Sequence, residues 1–229
     1  GVRFYTQYMG DLISVARVDF GGIKKGFRAR LDISGMGCSR IFDWSKIRAW
    51  VEQQQDPMLT RIDLAVDCLE GEFSVDHAAD WYKAGDFCTG GMYPKHSTPG
   101  DWHSSPSVYG RTLEIGRREN GKMLRCYEKG KQLGDQSSPW VRWEVELRNK
   151  DRDLPFDILT DSDKYFAGSY KCLSRVLPAA AERIRTHQKE GEIALEQAIE
   201  YAKTSYGQLI YCMRQHMPEQ EIYEAIHRP

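Results

Sequence analysis

The chain has 229 residues, of which 41% are hydrophobic and 28% are charged, and its formal net charge at pH 7 is −1. This composition is ordinary for a globular protein with a buried core, and the near-neutral charge argues against a protein that coats nucleic acid indiscriminately. The chain contains no apolar run of the length that spans a membrane, and its first residues do not form a signal peptide, so we expect a cytoplasmic protein without a membrane partner.

Neither the cysteines nor the histidines show a metal-binding pattern. The six cysteines are spread singly, which favours free thiols in a reducing compartment, and Cys126 is expected to be a buried structural residue. The six histidines include no His-x-His or His-x-x-His pair. Any metal ion would therefore depend on carboxylates, whose hard oxygen atoms favour Mg²⁺ or Mn²⁺.

The first predicted elements form a basic hairpin. Alternating apolar residues predict strands at residues 12–20 and 27–33, joined by a glycine-rich turn. Lys24, Lys25 and Arg28 lie in or beside this turn and could follow a phosphate backbone, although a solvated sheet edge protected by charge is the alternative interpretation.

The following segments alternate between helices and strands. Helical spacing and N-capping residues predict helices near residues 44–51, after Asp43 or Ser45, and near 75–84, after Ser74. Residues 85–106 read as a long loop, and Asn120-Gly121 is a strong hairpin signal. The predicted strands cover residues 60–68, 107–116, 122–129 and 140–148, and the predicted C-terminal helices cover residues 163–176, 179–189, 192–215 and 218–227.

Three of these strands carry polar side chains at every second position. Because alternate side chains of a strand point to the same face, each strand would present one polar row. A face of carboxylates, cations and a phenol suits metal-assisted phosphoryl transfer with tyrosine as the nucleophile, whereas carboxylates paired with Arg61, Arg142 and Arg148 are the structural alternative. The three rows are Asp63 with Asp67, Arg125 with Tyr127 and Lys129, and Glu144 with Glu146.

Four motifs follow one another in the central part of the chain. They are Arg61-x-Asp63-x-x-x-Asp67, Gly110-x-Thr112-Leu113-x-Ile115-Gly116, Leu124-Arg125-x-Tyr127-x-Lys129, and Trp140-Val141-Arg142-x-Glu144-x-Glu146-Leu147-Arg148. In this order they resemble the replication initiation factor family, which comprises rolling-circle initiators of plasmids, integrative elements and filamentous phages. The resemblance covers about residues 55 to 176, and the segment at residues 166–170 is similar to the phage branch.

The resemblance implies a metal-dependent enzyme that nicks and joins a DNA strand at an origin through a covalent 5′-phosphotyrosine. Tyr127 would be the nucleophile, and Lys129 would lower the pKa of the phenol or stabilise the phosphate. The expected metal ligands are Asp63 and Glu144, followed by Asp67 and Glu146, with Mg²⁺ or Mn²⁺ as the cofactor. The expected DNA-binding residues are Arg125, Arg142, Arg117, Arg118 and Lys122, together with the basic hairpin.

The predicted fold is an α+β domain with a curved, mainly antiparallel sheet of five or six strands and helices on one face. Residues 1–177 would form the catalytic nicking domain and residues 178–229 a C-terminal helical appendage. The expected partner is origin DNA, single-stranded or extruded at the nick site, with a host helicase as a further candidate. The alternatives are a metal-dependent hydrolytic nuclease without a covalent intermediate, and a non-catalytic module that binds DNA or another partner.

Overall fold

The computed structural model describes residues 1–8, 11–21, 29–104, 106–178 and 192–226. Its first part is a small antiparallel sheet with strand order β1-β2-β3. The strands are β1 at Val2–Tyr8, β2 at Asp11–Phe20 and β3 at Ala29–Ile33. The predicted pairing of the second and third strands is confirmed, whereas β1 was not predicted.

The main sheet has five strands, all antiparallel, in the order β4-β8-β7-β6-β5. This confirms the predicted fold class and the number of strands. The strands are β4 at Arg61–Cys68, β5 at His96–Ser97, β6 at Thr112–Arg117, β7 at Lys122–Glu128 and β8 at Val141–Arg148.

Two predicted strand limits were wrong. The strand predicted from residue 107 begins only at Thr112, because the backbone N–H groups of Val108 and Arg111 bind the carboxylates of Asp101 and Glu128 instead of a neighbouring strand. The strand predicted to reach Lys129 ends at Glu128, and the chain turns there into a short helix. The predicted hairpin between β6 and β7 is confirmed, with Gly121 in the left-handed conformation at φ 73°.

The helices follow the predicted capping residues. The side chain of Asp43 caps the second helix, and Ser74 caps the third through a hydrogen bond to the backbone of His77. The single helix predicted at residues 163–176 is two helices, because Tyr170 takes an extended conformation between them. The helices are α1 at Gly35–Cys38, α2 at Trp44–Glu52, α3 at Val75–Lys83, α4 at Lys129–Gln132, α5 at Ser162–Ser169, α6 at Leu173–Val176, α7 at Glu192–His216 and α8 at Glu219–Ile226.

The predicted helix at residues 179–189 lies outside the described residues, as do Lys24, Lys25 and Arg28 of the basic hairpin. The division into domains at residue 177 stays a prediction. Across the described ranges, the chain contains no helix of sufficient length and apolar character to cross a membrane.

One face of the main sheet carries the core. Trp143 is fully buried at its centre, and its indole N–H donates to the backbone oxygen of Phe73 at 2.9 Å. Leu113, Leu124 and Val145 are buried on the same face by the strand alternation. Helices α3, α5 and α6 contribute buried residues to this core and therefore lie on this face. The opposite face is polar, and at its β4 edge the charge of Asp63 acts on Cys38 at the end of α1.

Candidate functional site

The pairing register places the predicted polar rows side by side. Tyr127 on β7 lies opposite Arg142 on β8, and Arg142 in turn lies opposite Asp67 on β4. In the neighbouring row, Glu144 lies opposite Arg125. Cross-strand neighbours on one face are within contact distance, so the phenol of Tyr127 is surrounded by acidic and basic side chains.

Tyr127 is bound to a carboxylate. Its hydroxyl donates a hydrogen bond to Oε2 of Glu144 at 3.2 Å, and Arg125 binds the other oxygen of the same carboxylate. Burial raises the pKa of Tyr127 above its ordinary value, and the charge and hydrogen bond of Glu144 add to the rise. The positive charges of Arg142 and Arg125 oppose this rise without cancelling it. The phenol is therefore protonated near neutral pH, and Glu144 is the group positioned to accept its proton.

Lys129 lies near Tyr127, but not on the same strand as was predicted. It is the first residue of α4 rather than a strand residue, and its Nζ lies 5.8 Å from the centroid of the Tyr127 ring. The same Nζ donates to Gln132 at 2.9 Å. Burial lowers the pKa of Lys129, and the charge of Arg142 lowers it further. The pKa of Tyr127 is raised by burial and by Glu144, so the lowering of this pKa that was expected from Lys129 is not found.

Asp67 organises the end of the polar face nearest to Tyr127. Its two carboxylate oxygens accept hydrogen bonds from Nε and Nη2 of Arg142, both at 2.7 Å. The indole N–H of Trp140 donates to the same carboxylate at 2.7 Å. Burial opposes ionisation, but these hydrogen bonds outweigh it and hold the pKa of Asp67 below its ordinary value. Asp67 therefore holds Arg142 in place beside the phenol.

The other end of the face is centred on Glu146, which is almost completely buried. Three arginines bind its carboxylate: Arg148 at 2.6 Å, Arg118 at 3.0 Å and Arg61 at 3.3 Å. Arg61 also binds Asp63, with its Nε 2.8 Å from Oδ1. Burial would raise the pKa of Glu146, but the hydrogen bonds of Arg148 and Arg118 and the charge of Arg61 outweigh it, so the pKa lies below its ordinary value.

The four carboxylates do not fit a metal site in this arrangement. The register sets Asp63 opposite Glu146 and sets Ala65, not an acid, opposite Glu144. Each of the four is bound to at least one arginine, and the described residues contain no group of three histidine, cysteine or acidic side chains that could hold a metal ion. A cation would have to displace arginines from these carboxylates, so metal dependence stays a prediction.

The predicted DNA-binding residues are divided between the two faces. Arg125, Arg142 and Arg118 lie on the polar face through their carboxylate partners. Lys122 instead lies on the helical side, where its Nζ binds the backbone oxygen of Ser169 at 2.7 Å and lies 3.9 Å from the Tyr170 ring centroid. The register pairs Arg117 with Lys122, at the end of the hairpin. Lys122 therefore contributes to packing and is not presented with the other cations.

Sequence reasoning missed the anchor of the strand end next to Tyr127. The carboxylate of Glu128 accepts hydrogen bonds from the backbone N–H of Arg111 at 2.7 Å, from the Ser107 hydroxyl at 2.7 Å and from Lys131 at 3.0 Å. Arg111 also forms a two-bond pair with Asp76 on α3. No local pattern predicts this network as a whole, because its members come from three separate segments of the chain.

Comparison with known proteins identifies similar sequences and folds. A family model described as replication initiation factor matches residues 57–226. Among solved structures, the chain resembles the rolling circle replication initiator protein from Geobacillus stearothermophilus, with 22% sequence identity and a TM-score of 0.50. That match covers 67% of this chain and 59% of the other, so this chain spans about three fifths of its length. At this identity the likeness shows a shared fold. No match was found among curated proteins.

Proposed function

This chain belongs to the replication initiation factor family, and we propose that it initiates rolling-circle replication by nicking and rejoining one strand of origin DNA with Tyr127. The observation that carries the proposal is the hydrogen bond from the Tyr127 hydroxyl to Glu144, between the guanidinium groups of Arg125 and Arg142. A nucleophile, a proton acceptor and cations are thereby brought to one polar face. The similarity of residues 166–170 to the phage branch stays a prediction.

In the proposed reaction, the phenol oxygen of Tyr127 attacks the phosphorus of a backbone phosphodiester. The new Oη–P bond forms while the bond from phosphorus to the 3′ oxygen breaks. The phenol proton passes to Glu144, and the leaving 3′ oxygen takes a proton from solvent. The products are a 5′-phosphotyrosine and a free 3′ hydroxyl that a polymerase can extend. Attack by a second 3′ hydroxyl on the phosphotyrosine reverses the step and rejoins the strand.

The cations around the phenol would stabilise the charge that develops on the phosphate. Arg142 faces Tyr127 directly across the strands and is oriented by Asp67. Lys129 approaches from the start of α4. Arginine binds phosphate in a two-bond geometry, whereas lysine acts as a point charge, so the two groups would serve complementary roles. The DNA partner would be single-stranded or extruded at the nick site, with a host helicase as a further candidate partner.

One observation favours a second candidate function. The acidic and basic side chains pair across the sheet, as in Asp67 with Arg142 and Glu144 with Arg125. A non-catalytic DNA-binding module would use such pairs for stability and would form no covalent product.

The test is covalent trapping. We expect the protein, incubated with candidate origin oligonucleotides and Mg²⁺ or Mn²⁺, to form an adduct that survives denaturant. Tyr127→Phe should abolish the adduct and retain DNA binding, because only a hydroxyl is removed. Tyr109→Phe is the matched control, since Tyr109 is 83% exposed on the loop before β6. An adduct at the wild-type level with Tyr127→Phe would refute the nucleophile, and nicks without any adduct would indicate hydrolysis.

A further inference from the structure

We propose that Arg61, Arg118 and Arg148 form a binding site for a backbone phosphate of single-stranded DNA, and that Glu146 organises this site instead of binding a metal ion. These three residues are called the arginine trio below. The identity of the ligand rests on the proposed function, whereas the site itself rests on the geometry around Glu146.

The carboxylate of Glu146 is buried beneath the more exposed arginine trio and binds all three of its members. Its side chain is 1% exposed, whereas those of Arg61, Arg118 and Arg148 are 44%, 47% and 38% exposed. The carboxylate accepts from Nε of Arg148 through one oxygen and from Nε of Arg118 through the other. A solvent-borne cation would therefore meet guanidinium groups before it met the carboxylate, which argues against Glu146 as a metal ligand.

Arg118 and Arg148 of the arginine trio have N–H donors that Glu146 does not use. Glu146 takes only the Nε atoms of Arg118 and Arg148, and within the described ranges the Nη atoms of these two arginines have no hydrogen-bond partner. Each guanidinium carries five N–H donors, so the groups left over can bind oxygen atoms of a phosphate. Three positive charges face the two negative charges of Glu146 and Asp63, and the charge of Asp32 also acts on Arg61. The unused donors of Arg118 and Arg148 are therefore the groups that can bind a phosphate.

The cluster is also held in a defined shape. Arg118 lies in the turn between β6 and β7, and the backbone N–H of Arg148 donates to the oxygen of Gly121 in that turn at 2.9 Å. Arg152, which is buried, donates to the oxygen of Asn120 at 3.1 Å. A side chain at Gly121 would come within 2.9 Å of a backbone oxygen, so the turn packs closely against the chain beyond β8. Preorganised arginines lose less freedom when they bind.

The position of the cluster relates it to the proposed nick. Glu146 and Arg142 are four residues apart on β8, with both side chains on the polar face, and Arg142 faces Tyr127. At about 3.3 Å per residue, this separation is about 13 Å. A single strand that passes over Tyr127 could therefore place a phosphate a few nucleotides away on the arginine trio.

The experiment measures the salt dependence of binding to a fluorescent oligothymidylate, in a Tyr127→Phe background that prevents adducts. Each lost phosphate contact should reduce the slope of log K against log salt by about 0.7 for a single strand. We expect Arg118→Ala and Arg148→Ala each to show this reduction and Arg118→Lys to keep the wild-type slope. Arg175→Ala is the matched control, because Arg175 also forms one ion pair, with Asp86, but lies on α6, which contributes to the core on the other side of the sheet. Thermal unfolding checks that each variant is folded.

Unchanged slopes for both alanine variants would overturn the phosphate site, as would an equal effect of Arg175→Ala. A separate titration measures Mn²⁺ binding through the paramagnetic resonance of the free ion. Glu146→Gln should bind Mn²⁺ with the same affinity as the parent protein. A lower Mn²⁺ affinity in Glu146→Gln would identify Glu146 as a metal ligand and overturn its proposed organising role. If the parent protein fails to bind the oligonucleotide at all, the proposed function itself fails, which is a different result from binding with unchanged slopes.

Discussion

The hydrogen bond between Tyr127 and Glu144 leads to a prediction with two readouts, the pKa of Tyr127 and the nicking rate, which should both fall although a lower pKa alone would favour attack. Glu144→Gln keeps the shape of the side chain and removes both its charge and its ability to accept a proton. The charge and hydrogen bond of Glu144 raise the pKa of Tyr127, so their loss should lower that pKa. The nicking rate near neutral pH should nevertheless fall, because the phenol loses its proton acceptor.

The contact between Tyr127 and Glu144 allows an estimate of the expected loss of nicking rate. A distance of 3.2 Å between the hydroxyl and Oε2 is within reach for direct proton transfer. A positioned general base typically contributes about 10²- to 10⁴-fold, and we expect a loss of that order in single-turnover nicking. Since a phenolate needs no base, the loss should shrink as the pH rises towards the pKa of Tyr127.

The assay combines single-turnover adduct formation across pH with a titration of the phenol. The chain has 12 tyrosines, so the near-ultraviolet signal of Tyr127 is obtained as the difference between proteins with and without Tyr127→Phe. Glu114→Gln is the matched control. Glu114 lies opposite Arg125 in the same row, but it binds Ser97 at 2.7 Å and makes no hydrogen bond to Tyr127 in the described structure.

Two results would refute the general-base argument. The first is an unchanged pKa of Tyr127 in Glu144→Gln. The second is a loss of rate by the same factor at every pH, which would mean that Glu144 acts on the phosphate or on a bound cation instead of on the phenol proton. A comparable loss in Glu114→Gln would indicate a general effect of surface charge.

Two further predictions concern the cofactor and the core. If Asp63 and Glu144 bind Mg²⁺ or Mn²⁺, excess chelator should abolish nicking and leave DNA binding intact, as followed by gel assays of both; undiminished nicking in chelator would show that neither carboxylate acts through a metal ion. Trp143→Ala should lower the free energy of unfolding by about 3–5 kcal/mol, because it opens a cavity where a fully buried side chain stood. Denaturant titration measures this change, and an unaltered midpoint would contradict the central place of Trp143 in the core.

Local patterns in the sequence were sufficient for much of the architecture. Alternation over β4, β7 and β8 predicted which side chains share a face, because the period of two belongs to a single strand and needs no knowledge of its neighbours. The capping roles of Asp43 and Ser74 and the hairpin at Gly121 were predicted for the same reason, since each depends on residues a few positions apart.

Contacts between distant segments decided the chemistry of the face. Periodicity does not specify how strands pair, so only the register revealed that Asp63 lies opposite Glu146 and that Ala65 lies opposite Glu144. Likewise, the end of β7 at Glu128 depends on partners from distant segments, and it moved Lys129 from the strand into α4.

The sequence by itself determined the α+β class, the resemblance to the family and the rows of polar residues that contain Tyr127. Only the tertiary structure decided the partner of each charge. The side chains of Arg61 and Arg118 reach Glu146 from other parts of the chain, and a buried carboxylate needs such partners because burial has removed it from water. Glu146 is the centre of an arginine cluster because β4 and the turn between β6 and β7 both meet β8 beside it, a relation that no single stretch of sequence contains.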